Sequence, residues 1–139
     1  MDVFLFDLDG TLADSIGDIV ECANLVRGTY GLAPLPEKVI WGFIGKGSRW
    51  LVARTLTAKV PENGADLTAS LSDDEEMQMP PDSLLIEAVR RWVELYEQHM
   101  MDRTRLFPGI REALTALSGP KAIVTNKPAE SAREIHRIG

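Results

Sequence analysis

The sequence has little cysteine, few basic residues and no long apolar run. A single cysteine, Cys22, excludes an internal disulfide. Fifteen lysine and arginine residues against 21 aspartate and glutamate residues give a formal charge of -6. Nucleic acids and anionic membranes need a basic face, so neither is expected as a partner. The first apolar run, residues 3–6, is too short for a signal peptide or a membrane span, so we expect a soluble, cytoplasmic protein.

The 139 residues, 45% of them hydrophobic, are enough for one domain with a core. Continuous apolar runs predict two strands buried on both faces, over residues 2–7 and 121–126. Apolar residues at helical spacing predict long helices after Ser15 and Asp82, each of which is expected to cap its helix. Residues 59–82 contain three prolines and an acidic run, 73–76, that is typical of a solvated face. We expect this segment to be mobile.

The order of these elements predicts an α/β fold. Two parallel strands are separated by a long helical stretch, which indicates a parallel-sheet core with two strands present and a helical domain inserted between them. We expect residues 1–13 to form the first part of the core, 14–102 the helical insertion, and 103–139 the second part of the core.

Polar side chains follow both predicted strands. Asp7 and Asp9 end the first strand and are followed by Gly10, while Thr125, Asn126 and Lys127 follow the second. Ligands of open α/β sheets bind beyond the carboxyl ends of the strands, so these groups are expected to converge. The carboxylates suit a nucleophile or a ligand for Mg²⁺, and the hydroxyl and backbone N–H groups suit an anion.

Four short stretches resemble a known family. The sequence DLDGTLADS, residues 7–15, resembles the first signature of the haloacid dehalogenase superfamily, and IVTN, residues 123–126, resembles its second. WGFIGKG, residues 41–47, and LFPGI, residues 106–110, resemble the phosphoglycolate phosphatase branch, which has a helical cap inserted after the first signature. The resemblance implies a Rossmann-like core and covers essentially the whole chain.

The resemblance implies a Mg²⁺-dependent phosphatase of a small phosphorylated metabolite similar to phosphoglycolate. Asp7 would be the nucleophile that becomes an aspartyl phosphate, and Asp9 the acid that protonates the leaving alcohol. Both aspartates would bind Mg²⁺, and Thr125, Asn126 and Gly10 would bind the phosphate.

The GKG sequence at residues 45–47 has two interpretations that the sequence leaves open. It forms either a cap loop that closes over the substrate, with Lys46 or Arg49 meeting a substrate carboxylate, or an ordinary turn between helices. Three tryptophans are expected to fill the helical domain, and two histidines are expected to be solvated. These residues are Trp41, Trp50, Trp92, His99 and His136.

Two other functions remain possible from the sequence. The family's third and fourth motifs, a phosphate-binding lysine and an acidic pair, lie beyond a further helix and strand, after residue 139. Lys127 is not assigned the role of that lysine, and the 139 residues alone are expected to hydrolyse phosphate esters at background level. A non-catalytic protein that binds phosphate or a partner is the first alternative, and a sugar-phosphate mutase is a lesser one. The oligomeric state and the exact substrate are left open.

Overall fold

The computed structural model describes residues 2–59 and 79–138. Most of the segment predicted to be mobile, including the acidic run at 73–76, lies outside the described residues. Within the described ranges the elements follow in chain order: β1 (Phe4–Phe6), β2 (Ala13–Asp14), α1 (Ile16–Thr29), α2 (Glu37–Trp41), α3 (Ser48–Thr57), α4 (Asp82–His99), β3 (Arg105–Leu106), α5 (Ile110–Ala116), β4 (Lys121–Ile123) and α6 (Ala129–Ile138).

The two predicted strands form a parallel pair, which confirms the predicted fold class. β1 pairs with β4 so that Phe4 faces Lys121 and Phe6 faces Ile123. Both strands are shorter than predicted, and the prediction that both faces are buried is wrong. Alternate side chains of a strand point to opposite faces. Phe6 therefore packs against the core, whereas Leu5 is 66% exposed on the other face.

A second, antiparallel pair was not predicted. β2 pairs with β3, so that Ala13 faces Leu106 and Asp14 faces Arg105. Each strand has only two residues, which is too short for alternation in the sequence to reveal it. In this pair β2, where the chain leaves the β1 loop for the helices, lies beside β3, where the chain returns from the helices toward α5 and β4. The two strands lie close to the expected domain boundaries at 13/14 and 102/103. Those boundaries stay a prediction.

The helices between β2 and β3 share one apolar core. α1 packs against α2, α3 and α4, and α3 packs against α4. The predicted stripes of α1 and α4 supply much of the buried surface: Ile19, Cys22, Ala23, Val26, Leu85, Ala88, Trp92 and Tyr96. None of the helices in the described ranges is both long and apolar enough to cross a membrane.

Of the two predicted helix caps, Ser15 occupies the N-cap position of α1 without a side-chain capping bond, and the Asp82 cap is wrong. Ser15 does precede α1, but its hydroxyl donates to the carboxylate of Asp9 and makes no bond to the helix backbone. α4 begins at Asp82 itself, after Pro81, so Asp82 lies in the first turn. In that turn its negative charge interacts favourably with the positive end of the helix dipole, although it makes no capping bond. The hydroxyl of Ser15 therefore belongs to the candidate site described next.

Candidate active site

A cleft of about 120 Å³ lies between the carboxyl ends of β1 and β4 and the inner face of the helices. The side lined by the sheet and its loops consists of Asp7, Asp9, Thr125, Asn126, Lys127 and Pro128. The side lined by the helices and the loop before α3 consists of Ile19, Ile44, Gly45, Gly47, Ser48, Leu51 and Trp92. Four predicted site residues, Asp7, Asp9, Thr125 and Asn126, thus meet in one cleft.

Asp7 stands directly after β1 and is exposed. Its Oδ1 accepts a hydrogen bond of 2.8 Å from the backbone N–H of Leu8, which fixes the rotation of the carboxylate. No other described group donates to this carboxylate, so its second oxygen is available to a ligand or an electrophile. The apolar strand explains the position, because Phe6 is anchored in the core one residue earlier.

Asp9 is turned back toward the cleft by Gly10. The backbone of Gly10 has a φ of 77°, a left-handed conformation that glycine adopts without strain, and its N–H donates to the carbonyl of Ala13. Oδ1 of Asp9 then accepts a bond of 2.5 Å from Oγ of Ser15. Gly10 shapes this turn and is not among the residues that line the cleft, and its role in binding phosphate stays a prediction.

Lys127, expected among the polar residues after the second strand but given no role from the sequence, lines the cleft. Its Nζ lies 3.1 Å from Oδ1 of Asp9, donates a hydrogen bond to the hydroxyl of Tyr96, and stands 4.1 Å from the centre of that ring. The side chain is only 3% exposed. Burial lowers the pKa of Lys127, an effect that the neighbouring Asp9 opposes. The one signal in the sequence is its place directly after Asn126.

Thr125 and Asn126 order the loop that follows β4. Oγ1 of Thr125 accepts a bond of 3.1 Å from the backbone N–H of Lys127. Nδ2 of Asn126 donates to the carbonyl of Gly45 at 2.6 Å, and the backbone of Gly47 lies against Asn126. The amide side chain therefore links the sheet to the loop before α3, and leaves the hydroxyl and backbone of this loop for an anion.

The two cations predicted to meet the substrate, Lys46 and Arg49, do not line the cleft. Nζ of Lys46 stands 4.7 Å from the centre of the Trp50 ring, and Arg49 makes a long, exposed ion pair of 3.9 Å with Asp82. The loop does border the cleft through Gly45 and Gly47. Trp92, expected only to fill the helical domain, lines the cleft as well as packing in the core.

The carboxylates of the cleft suit a hard cation. Mg²⁺ is commonly held by one or two carboxylates together with water and substrate phosphate oxygens. Asp7, with one unpaired carboxylate oxygen, fits that donor set, and Asp9 lies two residues away in the same cleft. In the part of the chain that the structure describes, no group of three or more His, Cys, Asp or Glu side chains is placed to hold a metal ion.

Residues 4–137 match the model of a protein family described as haloacid dehalogenase-like hydrolases. The chain is 35% identical over 125 residues to a phosphoglycolate phosphatase of Chromobacterium violaceum, covering 88% of this chain and 49% of that protein. It is 36% identical over 126 residues to the phosphoglycolate phosphatase of Nitrosospira multiformis, covering 88% and 48%. The chain therefore spans about half the length of the curated relatives that it matches.

Solved structures share the fold. A predicted phosphoglycolate phosphatase from Haemophilus somnus superposes with a TM-score of 0.73 and 24% identity, over 98% of this chain and 56% of that one. A haloacid dehalogenase-like family protein from Streptococcus pneumoniae superposes with a TM-score of 0.71 and 24% identity, over 99% and 55%. At these identities the likeness concerns the fold.

Proposed function

We propose, from the premise that this chain belongs to the haloacid dehalogenase-like hydrolase family, that the protein is a Mg²⁺-dependent phosphatase. Its substrate would be a small phosphorylated metabolite such as phosphoglycolate, the substrate in the names of the relatives. The observation that supports this most directly is the meeting of Asp7, Asp9 and Thr125 in one cleft. Two aspartates with different partners suit two different roles.

In the first step the unpaired oxygen of Asp7 attacks phosphorus, and the bond between phosphorus and the ester oxygen breaks. Asp9 donates a proton to the leaving alkoxide, which departs as an alcohol. Ser15 and Lys127 both contact Oδ1 of Asp9, and no described group bonds Oδ2, so Oδ2 is the oxygen that would carry the proton to the ester oxygen. The product of this step is an aspartyl phosphate on Asp7.

In the second step Asp9 takes a proton from water as the water oxygen attacks phosphorus. The bond from phosphorus to Asp7 breaks, which releases inorganic phosphate and restores the carboxylate. The hydroxyl of Thr125 and the backbone N–H groups after β4 would bind the phosphoryl oxygens in both steps. Mg²⁺, when bound, would neutralise charge on the phosphoryl oxygens.

A non-catalytic phosphate-binding protein is the second candidate. It is favoured by the finding that no described group of three or more His, Cys, Asp or Glu side chains is placed to hold a metal ion. A phosphate would still meet Thr125 and Lys127 without Mg²⁺.

Release of inorganic phosphate from 2-phosphoglycolate separates the two candidates. The wild-type protein, Asp7→Asn and the exposed control Asp2→Asn are compared with and without Mg²⁺. Because the 139 residues alone are expected to act at background level, the comparison uses a form of the protein that also carries the lysine and acidic pair of the third and fourth motifs, and there we expect Mg²⁺-dependent release by the wild type and Asp2→Asn only. Equal release by Asp7→Asn would exclude the covalent route. Binding of 2-phosphoglycolate with no release by any of the three would favour the second candidate.

A further inference from the structure

We infer that Lys127 and Tyr96 are positioning residues for Asp9. Tyr96 holds the ammonium group of Lys127, and Lys127 holds one oxygen of the Asp9 carboxyl group. The inference rests on the proposed function in one respect, that Asp9 protonates the leaving group. It adds two residues that act through Asp9, and it makes the proton transfer depend on α4, a helix that lies between β2 and β3 in the chain.

The ammonium group of Lys127 lies between two oxygens. Its Nζ is 3.1 Å from Oδ1 of Asp9 and donates a hydrogen bond to the hydroxyl of Tyr96. The side chain of Lys127 is 3% exposed and that of Asp9 is 14% exposed, so water screens this ion pair little. A lysine in water moves freely on its flexible stem, whereas burial and two contacts keep this ammonium group in place.

Tyr96 anchors Lys127 without competing for its charge. Burial raises the pKa of Tyr96, so the hydroxyl stays protonated and neutral. Nζ of Lys127 also stands 4.1 Å from the centre of the Tyr96 ring, which adds a cation–π attraction to the hydrogen bond. The ring itself stacks on Trp92, with ring centres 4.8 Å apart. The position of the ammonium group therefore follows the position of α4.

Ser15 contacts the same oxygen from a different helix. Its buried hydroxyl stands just before α1 and donates to Oδ1 of Asp9 at 2.5 Å. Two donors on Oδ1 restrict the rotation of the carboxyl group and leave the transferable proton to Oδ2, because an oxygen that carries the proton is the poorer acceptor. Asp9 is therefore tied to α4 through Lys127 and to α1 through Ser15.

The contact with Lys127 also suits the first chemical step. When Asp9 protonates the ester oxygen, its own O–H bond breaks, a new O–H bond forms on the departing alcohol, and a negative charge appears on Asp9. The ammonium group stands 3.1 Å from that carboxyl group before the reaction begins. A charge placed in advance stabilises a developing opposite charge without reorganisation. We expect this benefit only where the leaving group needs a proton.

Two phosphoryl donors separate this role from direct binding of phosphate by Lys127. 2-Phosphoglycolate releases an alkoxide, which needs a proton, and acetyl phosphate releases acetate, a weak base that leaves without one. The rate at which an acid-stable aspartyl phosphate forms is measured with each donor and Mg²⁺, in a form of the protein that carries all four family motifs. We expect Lys127→Met to slow this step by about tenfold or more with 2-phosphoglycolate, and by less than about threefold with acetyl phosphate.

Tyr96→Phe keeps the stacked ring and removes the hydroxyl that anchors Lys127. It should show the same selectivity for the donor at a smaller size, a loss of about three- to tenfold with 2-phosphoglycolate, as one hydrogen bond would give. Tyr30→Phe is the matched control. The Tyr30 hydroxyl has no hydrogen-bond partner among the described residues and Tyr30 lies outside the cleft lining, so this variant should match the wild type with both donors.

A double variant shows whether Lys127 acts through Asp9. With 2-phosphoglycolate, Asp9→Asn combined with Lys127→Met should be no more than about threefold slower than Asp9→Asn alone, because the group that Lys127 positions has already been removed. Losses that multiply would overturn the positioning role, and so would equal losses with the two donors. A thermal unfolding transition shows that each variant folds, and Tyr96→Phe decides the question if Lys127→Met does not fold.

The link between Lys127 and Tyr96 is measured without turnover in the 139-residue chain. Lys127→Met and Tyr96→Phe remove the same hydrogen bond, so the double variant should lose less in its urea unfolding midpoint than the sum of the two single losses. Additive losses would overturn the link.

Failure of the proposed function has a different result. No label from either donor with the wild type would overturn the phosphatase and the positioning role with it. Label from acetyl phosphate alone would show that no group protonates an alkoxide, which overturns the positioning role. Label from both donors, lost equally in Lys127→Met, would leave the phosphatase standing and the positioning role wrong. If 2-phosphoglycolate alone gives label, the double variant with Asp9→Asn decides.

Discussion

The buried carboxylate of Asp18 accepts two hydrogen bonds from Thr104, one of 2.9 Å from its backbone N–H and one of 2.8 Å from its hydroxyl. The backbone N–H of Arg103 donates to both oxygens of the same carboxylate, at 3.2 and 3.0 Å. Asp18 lies in the first turn of α1, just after β2, and Thr104 precedes β3. The Asp18 side chain therefore links the start of α1 to the segment just before β3.

Replacing Asp18 is expected to destabilise the protein. In Asp18→Asn one acceptor oxygen becomes an NH₂ group that faces buried donors, which costs about 1–3 kcal/mol of unfolding free energy per unsatisfied group. Urea unfolding of the variant and the wild type measures the loss. Glu21→Gln is the matched control: Glu21 is also on α1 and pairs with Arg103, but through an exposed ion pair of 3.6 Å, so it should change stability by less than about 0.5 kcal/mol. Equal losses in both variants would contradict this assignment.

The sequence predicts part of the site because part of the site is local. Asp7 and Asp9 are fixed by the strand before them and the glycine turn after them, and parallel pairing of β1 with β4 brings Thr125 alongside. Each of these steps follows from residues close in sequence or from a general property of parallel sheets. The fold class was predictable for the same reason.

Lys127 and Asp18 could not be assigned in this way. Asp18 looks like an ordinary acidic residue in a first helical turn, and its partners are 85 and 86 residues away. Lys127 follows a strand like any solvated lysine, and its burial depends on the position of Tyr96 on α4. Such pairings are set by how helices pack against the sheet, which hydrophobic periodicity does not specify.

Arg27 offers a second test of buried polar contacts. Its side chain is buried and donates to three carbonyls: Nε to Ala33 at 2.6 Å, and Nη1 to Thr55 at 2.6 Å and Ala58 at 3.0 Å. Burial lowers the pKa of Arg27, and lysine cannot reproduce the fork of donors.

We expect Arg27→Lys to lower the free energy of unfolding by about 1–3 kcal/mol, because at least one buried carbonyl loses its donor. The exposed Arg91, in an i,i+4 pair with Glu87, is the control, and Arg91→Lys should change it by less than about 0.5 kcal/mol. Unfolding in guanidinium chloride measures both changes, provided that the dependence of the unfolding free energy on denaturant concentration is the same in the variants as in the wild type. An Arg27→Lys variant as stable as the wild type would contradict this prediction and indicate that water hydrogen-bonds the carbonyls in place of the guanidinium.

Cys22 should be unreactive in the folded protein. Its side chain is buried, and burial, with smaller contributions from Asp18, raises the pKa of the thiol from 9.0 to about 12. A pKa that is higher in the folded state stabilises the fold below the unfolded value of about 9, and this contribution falls as pH rises toward 12. We expect Ellman's reagent at pH 8 to label Cys22 only after unfolding in denaturant. Labelling of native protein at the rate of a free thiol would contradict the buried position.

The two cations singled out from the sequence, Lys46 and Arg49, test whether the loop at residues 45–47 recognises a substrate carboxylate. Lys46 and Arg49 do not line the cleft, so Lys46→Ala and Arg49→Ala should change the affinities for 3-phosphonopropionate and propylphosphonate equally, by less than about threefold. Calorimetric titration in the presence of Mg²⁺ measures this with the two phosphonates, of which the first has a carboxylate where the second has a methyl group. A selective loss for the carboxylate compound would restore the sequence-based role of the loop at residues 45–47.

The roles of the two aspartates predict different defects in one experiment. 2-Phosphoglycolate labelled in its phosphoryl group is mixed with Mg²⁺ and a form of the protein that carries all four family motifs, and the reaction is quenched in acid, which preserves an aspartyl phosphate. Asp7→Asn should form no acid-stable label. The substitution replaces one carboxylate oxygen with NH₂, and the amide oxygen that remains is uncharged and a weak nucleophile. Asp9→Asn should slow both formation and decay of the label, by about 10²–10⁴-fold, because an amide neither donates the proton in the first step nor accepts it in the second.

Asp14→Asn, an exposed carboxylate outside the cleft lining, should label like the wild type. Label that forms at the wild-type rate in Asp7→Asn would remove Asp7 as nucleophile, and unchanged decay in Asp9→Asn would remove Asp9 as the base.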